Sequence, residues 1–450
     1  MHLETADDWS DAIDLTIAHT QDRKLLTRWG YYSGIQPKIY LTPKLAETFR
    51  ALADSLTENY CGLAVNSRIH RLELLQFEGT GAMDADKMWA DGGYPLRQDS
   101  FYRWALVHGQ AYLAVNEDGI YANPATTMYA HPDPDDWMKS AWAGKLFVDH
   151  DQWKVTIWDE SVVRRYKAKG PRATDGLLRA NALVTRQVPG ADDFILEEEE
   201  PHGFDRVPVI GVNPYGYLGS PLMDQISPIQ DRINKITANK LVAAEFGAFK
   251  QRIFFTRQQL TPEAIRQQPD TAIVLDPGDS DAKASVQEMG ATDLRNYDDS
   301  KNNEVDSLFT IASLPRHLRV NVATGSNASG IAIKADEGPF TEAIFDHQRE
   351  FGQAFTQAFE MLGIEAFAEW KSPVVNDDLE NAEILATLVA AGVPWQAAAQ
   401  KYLHWTNDEV AEATLLKGTE QVGAASQMAQ QTAAFLSNPT LTEPNVDVAG

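Results

Sequence analysis

Cysteine is almost missing from this chain: Cys61 is the only one in 450 residues. No intrachain disulfide can form and no multi-cysteine metal site can be built, which fits a reducing compartment such as the cytoplasm. Long apolar runs are missing as well, since no stretch reaches the roughly 18 residues needed to cross a bilayer. The segment Met1 to Asp14 is acidic and polar, so neither secretion by a signal peptide nor a membrane contact is expected. Positive charge is scarce, with 39 Lys and Arg against 64 Asp and Glu and a net charge of −25. That balance excludes a broad basic face that wraps nucleic acid by replacing its counterions. The ten histidines are not arranged in the pairs that a closed zinc site uses.

What remains is the composition of a folded protein: 44% hydrophobic residues, 23% charged residues and 11 Trp. The length exceeds what one hydrophobic core organises, so two or more structural units are expected. Apolar residues at helical spacing after Thr42 (Leu45, Phe49, Leu52, Leu56) predict a helix over 43–59. Alternating stretches then follow at Leu72–Phe77, Tyr112–Val115, Leu146–Val148 and Trp153–Trp158, broken by turn signals such as Asp118-Gly119. The region up to about residue 215 reads as α+β with a mainly antiparallel sheet. Glu197 to Glu200 read as a solvated edge.

Beyond Asn213 long helices take over. Ile226, Ile229, Ile233 and Ile236 recur at spacings of three and four, with Asp231, Arg232, Asn234 and Lys235 assigned to the opposite face. With Pro228 in its first turn, this helix is expected to run to Phe246. Short strands and turns fill 252–290, including Ile273–Leu275. A second helix over 291–314 carries Leu294, Tyr297, Val305, Leu308, Ile311 and Ala312, and Pro315 ends it. Charged residues on the two helices, among them Arg232, Lys240, Asp298, Lys301 and Glu304, are expected to pair with one another. A glycine-containing loop over 315–330 precedes a helix bearing Ile344, Phe351, Phe355 and Leu362, which the Gly338-Pro339 pair either starts or kinks. Two or three short helices follow over 376–416, and after Gly418 periodicity fades into a loosely ordered tail.

Enzyme signatures are weak. Gly325 to Gly330 has the glycine spacing of a phosphate loop, but Ile331 stands where its lysine belongs. There is no Gly-x-Ser-x-Gly elbow, and Cys61 lies in an apolar helical context that disfavours a nucleophile. Asp133, Asp135 and Asp136, interrupted by Pro132 and Pro134, read as a turn.

Several stretches in order resemble the tailed-phage portal family, siphovirus type. They are Tyr31-Tyr32-Ser33-Gly34, Asn59-Tyr60-Cys61, Val107-His108-Gly109-Gln110-Ala111-Tyr112, Val207-Pro208-Val209-Ile210 and Asn213-Pro214. Gly219-Ser220-Pro221-Leu222, Ala243-Ala244-Glu245-Phe246-Gly247, Ser329-Gly330-Ile331-Ala332-Ile333-Lys334 and the 382–394 stretch complete the set, which covers roughly residues 25–420. The resemblance implies a portal fold of α/β wing, long paired stem helices, small β-rich clip, tunnel loop and helical crown. Its divisions are an N-terminal tail 1–24, wing 25–220, stem helices 221–247 and 291–314, and clip 248–290. The tunnel loop 315–330, long helix 331–371, crown 372–420 and tail 421–450 follow.

It further implies a homododecameric ring at a capsid vertex of the virion, assembled in the host cytoplasm. Double-stranded DNA would pass through it in either direction, irrespective of sequence. Its partners would be the terminase large subunit, a head-tail adaptor, the major capsid protein and a scaffold protein. No cofactor and no catalytic residue are implied. An acidic channel wall suits this role, because like charge keeps a moving duplex from adhering. Arg316, His317, Arg319 and Lys334 become candidates for meeting phosphates, with salt bridges as the competing reading. Ile229, Ile233, Ile236, Leu308 and Ile311 become candidates for stem and oligomer packing. A head-tail adaptor ring and a metal-dependent nucleic-acid enzyme are the alternatives.

Overall fold

A computed structural model of the chain describes residues 3–36, 57–169, 188–216, 219–248, 252–255, 273–275, 286–288, 293–319, 330–374, 378–400, 405 and 410–417. The chain divides into two compact units, Met1–Pro373 and Val374–Gly450. The helix expected over 43–59 falls mostly outside the described residues, as do the last part of the loop, 320–329, and the tail 421–450.

The stretch expected as an N-terminal tail is instead helical. Helix α1 (Ala6–Thr20) starts in a capping box, where Thr5 and Asp8 satisfy each other's free backbone N–H groups. It buries Trp9, Ala12, Ile13, Thr16 and Thr20, a stripe built partly from Ala and Thr and therefore quiet in hydrophobicity. The Thr16 and Thr20 hydroxyls are satisfied by carbonyls one turn back, at 2.7 Å each. Helix α2 (Arg23–Ser33) follows, capped by Asp22, and then α3 (Tyr60–Ile69), capped by Asn59. Strand β1 (Leu74–Glu78) and helices α4 (Ala82–Asp91) and α5 (Tyr94–His108) come next.

Strands β2 (Ala111–Asn116) and β3 (Gly119–Pro124) form the hairpin signalled by Asp118-Gly119, Gly119 taking φ 152°. Strands β4 (Met128–Pro132), β5 (Ser140–Asp149), β6 (Gln152–Trp158), β7 (Val162–Ala168) and β8 (Phe194–Pro201) make a five-stranded antiparallel sheet in chain order. Helix α1 packs on this sheet over Gly144, where a Cβ would lie 2.0 Å from Thr16 Oγ1. Strand β9 (Val209–Val212) joins β2, giving a second sheet of order β3-β2-β9. The antiparallel α+β reading of this region holds, with its strands divided among three sheets rather than one.

Helix α6 (Leu222–Ala248) is longer than expected, about 40 Å at 1.5 Å per residue. It begins six residues before Pro228, so that proline is interior and withholds the N–H that Asp224 would otherwise receive. Burial overrides the break: Met223, Ile226, Ile229 and Ile233 are all at most 3% exposed. Arg28 also clamps Asp224 through two bonds of 2.8 and 2.6 Å. Strands β10 (Arg252–Phe255), β11 (Ile273–Leu275) and β12 (Val286–Glu288) form a small sheet of order β11-β10-β12 between α6 and α7 (Arg295–Ile311). Helix α8 (Gly330–Met361) spans about 48 Å and carries Pro339 inside it, so Gly338-Pro339 does not start it.

Strand β13 (Phe367–Trp370), which falls where only the long helix was expected, pairs antiparallel with β1. Phe101, Tyr102, Phe351, Phe355 and Phe359 fill the main core, with Phe77 edge-on to Phe359 at 4.8 Å. In the second unit, α9 (Asp378–Ala390) and α10 (Trp395–Ala398) are separated at Gly392, whose φ of 92° ends the first. A further helix occupies 410–417, from which Lys417 reaches over the Trp395 ring at 4.8 Å.

Candidate functional site

The two long helices α6 and α7 lie side by side, and their contact is both apolar and ionic. Ile229, Ile233 and Leu308 are 3%, 0% and 0% exposed. They are therefore consumed inside the subunit, and of the expected packing residues only half-buried Ile236 and Ile311, 48% exposed, remain for a neighbour to meet. Arg232 pairs with Glu304 at 2.8 Å and Lys240 with Asp298 at 2.5 Å, as the mutual-pairing expectation required.

Asn234 departs from expectation, being 2% exposed rather than on the outer face. It belongs to a buried amide network in which Gln230 Nε2 donates to Asn234 Oδ1 at 2.9 Å. Asn234 Nδ2 donates to Gln36, while the backbone N–H groups of Glu58 and Tyr60 donate to Asn234 and Gln230 at 3.1 and 3.0 Å. Lys301 of α7 reaches Glu58 on the same segment. Two amides on an isoleucine stripe thus tie α6 to the chain that enters α3.

The junction after α7 is built around a buried guanidinium. Arg68, 4% exposed, donates to the carbonyls of Ala64 at 2.8 Å and Ala312 at 2.5 Å, with Phe340 beneath it at 5.6 Å. Burial lowers its pKa, yet an arginine keeps its proton. It satisfies a carbonyl at the C-terminus of α7 just before Ser313, whose φ is 49°. Glu337 on α8, 5% exposed, holds Arg71 at 3.2 Å and His317 at 3.3 Å.

Each basic residue of the loop start therefore has an acid. Arg316 gives its backbone N–H to Asp336 at 2.5 Å, while its guanidinium, 3.9 Å from Asp336, is 82% exposed. Arg319 is held by Asp306 and, at 2.7 Å, by Asn302, and is 21% exposed. Lys334 lies in the first turns of α8, and its side chain is outside the described residues. Sequence reasoning missed Arg68 and the buried role of Glu337. Their signal was a charge placed on an otherwise apolar helical face.

The motifs of the portal resemblance also meet in space. Gly109, at φ 87°, caps α5 where a Cβ would lie 2.4 Å from Pro221. Asn59 Nδ2 donates to the carbonyl of Tyr32 at 2.8 Å, and Tyr32 donates its hydroxyl to Asn66 at 3.0 Å.

Burial first, and Asp231 second, push the Cys61 thiol up to about 12, so no thiolate forms near neutrality. Asp133 accepts from the backbone N–H groups of Asp135 and Asp136 at 2.8 and 3.2 Å, which is a turn. Among the described residues no group of three His, Cys, Asp or Glu side chains can hold a metal, and no helix is long and apolar enough to cross a membrane.

A sequence model described as phage portal protein, SPP1 Gp6-like, matches residues 85–424. The chain belongs to the phage portal family. It is thus a portal subunit, one of those that form the ring at a capsid vertex of the virion. No curated protein matches this portal chain.

Among solved structures, a chain of the virion of a native gene transfer agent particle is similar at TM-score 0.46 and 11% identity, covering 85% of this chain and 99% of that one. A chain of the neck of an empty particle of that agent gives TM-score 0.45 and 12% identity, covering 87% and 99%. The neck of the native particle gives 0.42 and 11%, covering 83% and 98%. The family assignment of this portal chain rests on the sequence model.

Proposed function

We propose that twelve copies of this chain close head to tail into a ring through which double-stranded DNA is packaged and later ejected. The observation that carries this reading is the α6/α7 pair, two long helices locked by Arg232–Glu304 and Lys240–Asp298, with a small sheet inserted between their far ends in sequence. A rigid strut that presents a separate contact module suits a closed, heterologous assembly. In this reading residues 25–220 are the wing, 221–247 and 291–314 the stem, 248–290 the clip and 372–420 the crown. The clip receives the terminase large subunit during packaging and a head-tail adaptor afterwards. The major capsid protein and a scaffold protein surround the wing during assembly in the host cytoplasm. The ring itself performs no chemistry, and the ATP hydrolysis that drives packaging belongs to the terminase.

Of the candidate phosphate contacts, Arg316 is the best placed, because its guanidinium is mostly solvated whereas Arg319 and His317 are engaged by Asp306 and Glu337. Such a contact is blind to base sequence, as a portal requires. The test is the double variant Arg316→Ala, Arg319→Ala, imaged by negative stain and assayed for packaged DNA. Intact rings with impaired packaging or retention support the reading. Loss of the ring assigns both residues to subunit structure instead.

A further inference from the structure

One cleft in the first unit is used by nothing described so far. Its volume is about 190 Å³, and it lies where α8, the β2/β9 sheet and the β4–β5 turn converge. Three polar α8 side chains line it, Glu350, Gln353 and Gln357, whose spacing of three and four puts them on one helical face. Gln110 stands at the end of β2, and Trp137, 50% exposed, is on the turn. That turn is rigid, because Asp133 and Lys139 bond through their backbones at 2.8 Å and Ser140 Oγ donates to the carbonyl of Val209 at 3.0 Å.

Charge in and around the cleft is unbalanced. Lys139, which also lines it, is paired with Asp136 at 3.1 Å, and neighbouring Arg349 with Asp346 at 3.1 Å. Arg206, bonded to the Gln357 carbonyl, faces Glu360 at 3.8 Å. Glu350 is half-buried and makes no salt bridge among the described residues, although the charge of Arg349 acts on it from a distance. The amides of Gln110, Gln353 and Gln357 likewise have no protein partner there. Burial raises the Glu350 pKa, with the charge of Arg349 opposing it in part.

A carboxylate, several amide oxygens and an indole face around one opening match a planar cation with several N–H donors. Arginine has that geometry, and a lysine ammonium does not. The volume is below the roughly 300 Å³ at which small-molecule sites begin, so one side chain fits better than a cofactor.

We propose that this cleft receives an arginine side chain carried by a partner protein, its guanidinium paired with Glu350 and stacked on Trp137. The probe is the blocked tripeptide acetyl-Gly-Arg-Gly-amide, titrated calorimetrically into the full-length chain. Saturable binding is expected, with the lysine tripeptide weaker and the citrulline tripeptide, which has the same shape and no charge, silent. Glu350→Gln should weaken binding by roughly tenfold or more, the scale of one charge-assisted bond, and Trp137→Leu should weaken it independently. Absence of saturable binding, equal binding of citrulline, or an unchanged affinity in folded Glu350→Gln overturns the proposal. Displacement of the peptide by equimolar calcium overturns it too, by making the cleft a metal site. Should Glu350→Gln not fold, Trp137→Leu and the citrulline control decide alone.

Discussion

Charge is handled in opposite ways in two regions of the first unit. On the β7–β8 edge, Arg165 pairs with Glu198 and Glu200 at 2.8 and 2.6 Å, and Arg164 with Glu199 at 2.8 Å while lying 3.8 Å over the Trp9 ring. Arg165 and its two acids are about half open to water, at 41%, 54% and 45% exposed. At the junction of α3, α7 and α8, by contrast, Arg68 and Glu337 are 4% and 5% exposed and hold backbone and loop in place. The same residue types therefore carry different energies. Exposed pairs keep an edge strand soluble and in register, whereas a buried charge costs desolvation that only full hydrogen bonding offsets.

The largest effect should follow from Arg68→Ala, which empties a buried volume and leaves the Ala312 carbonyl unsatisfied. A loss of about 3–5 kcal/mol is expected in thermal or urea unfolding. Arg68→Met keeps most of the volume, so about 1–3 kcal/mol isolates the hydrogen-bond contribution. Equal, negligible losses in both would place this junction in the same class as the β7–β8 edge.

Acid should strike the buried side of the comparison next. Burial, then the charge of Arg28, lowers the His108 pKa to about 4, and burial, then Arg68, lowers that of His347 to about 3, against 6.5 for a free imidazole. Both rings are neutral when folded, so the unfolded chain binds more protons between those values. Stability is full above about pH 6.5 and falls as pH drops toward 4 and 3, by up to about 1.4 kcal/mol per pH unit for each ring. Melting temperatures across pH 7 to 4 check this. His347→Gln should flatten the slope, and an unchanged slope would remove His347 from the account.

Gly144→Val tests the docking of α1. The added Cβ meets Thr16 and the Ile157 side chain, and a loss of about 1–3 kcal/mol is expected from overpacking, with the N-terminal segment becoming sensitive to limited proteolysis. The smallest effect belongs to Arg165→Ala, within about 0.5–1 kcal/mol and diminished further by added salt.

Much of this fold was legible before any coordinates. The strands around Tyr112–Val115 and Trp153–Trp158 declared themselves by alternation, the hairpin by Asp118-Gly119, and the two long helices by period and by opposite charges that do pair. The misses share a physical cause, burial acting through weakly apolar or charged residues. Helix α1 hides its face in Ala12, Thr16 and Thr20, and α6 runs through Pro228 because Met223 and Ile226 are fully buried. Strand β13 pairs with β1, nearly three hundred residues earlier, so no local pattern announces it. In the candidate site the loop cations were found, but the acids Asp306, Asp336 and Glu337 were not assigned to Arg319, Arg316 and His317. Those contacts depend on where α7 and α8 end up.

The native mass of the purified full-length chain tests the ring most directly. A particle of about twelve subunits of 49.9 kDa each, with a central hole in projection, is expected. A species that stays monomeric at every protein concentration would contradict it.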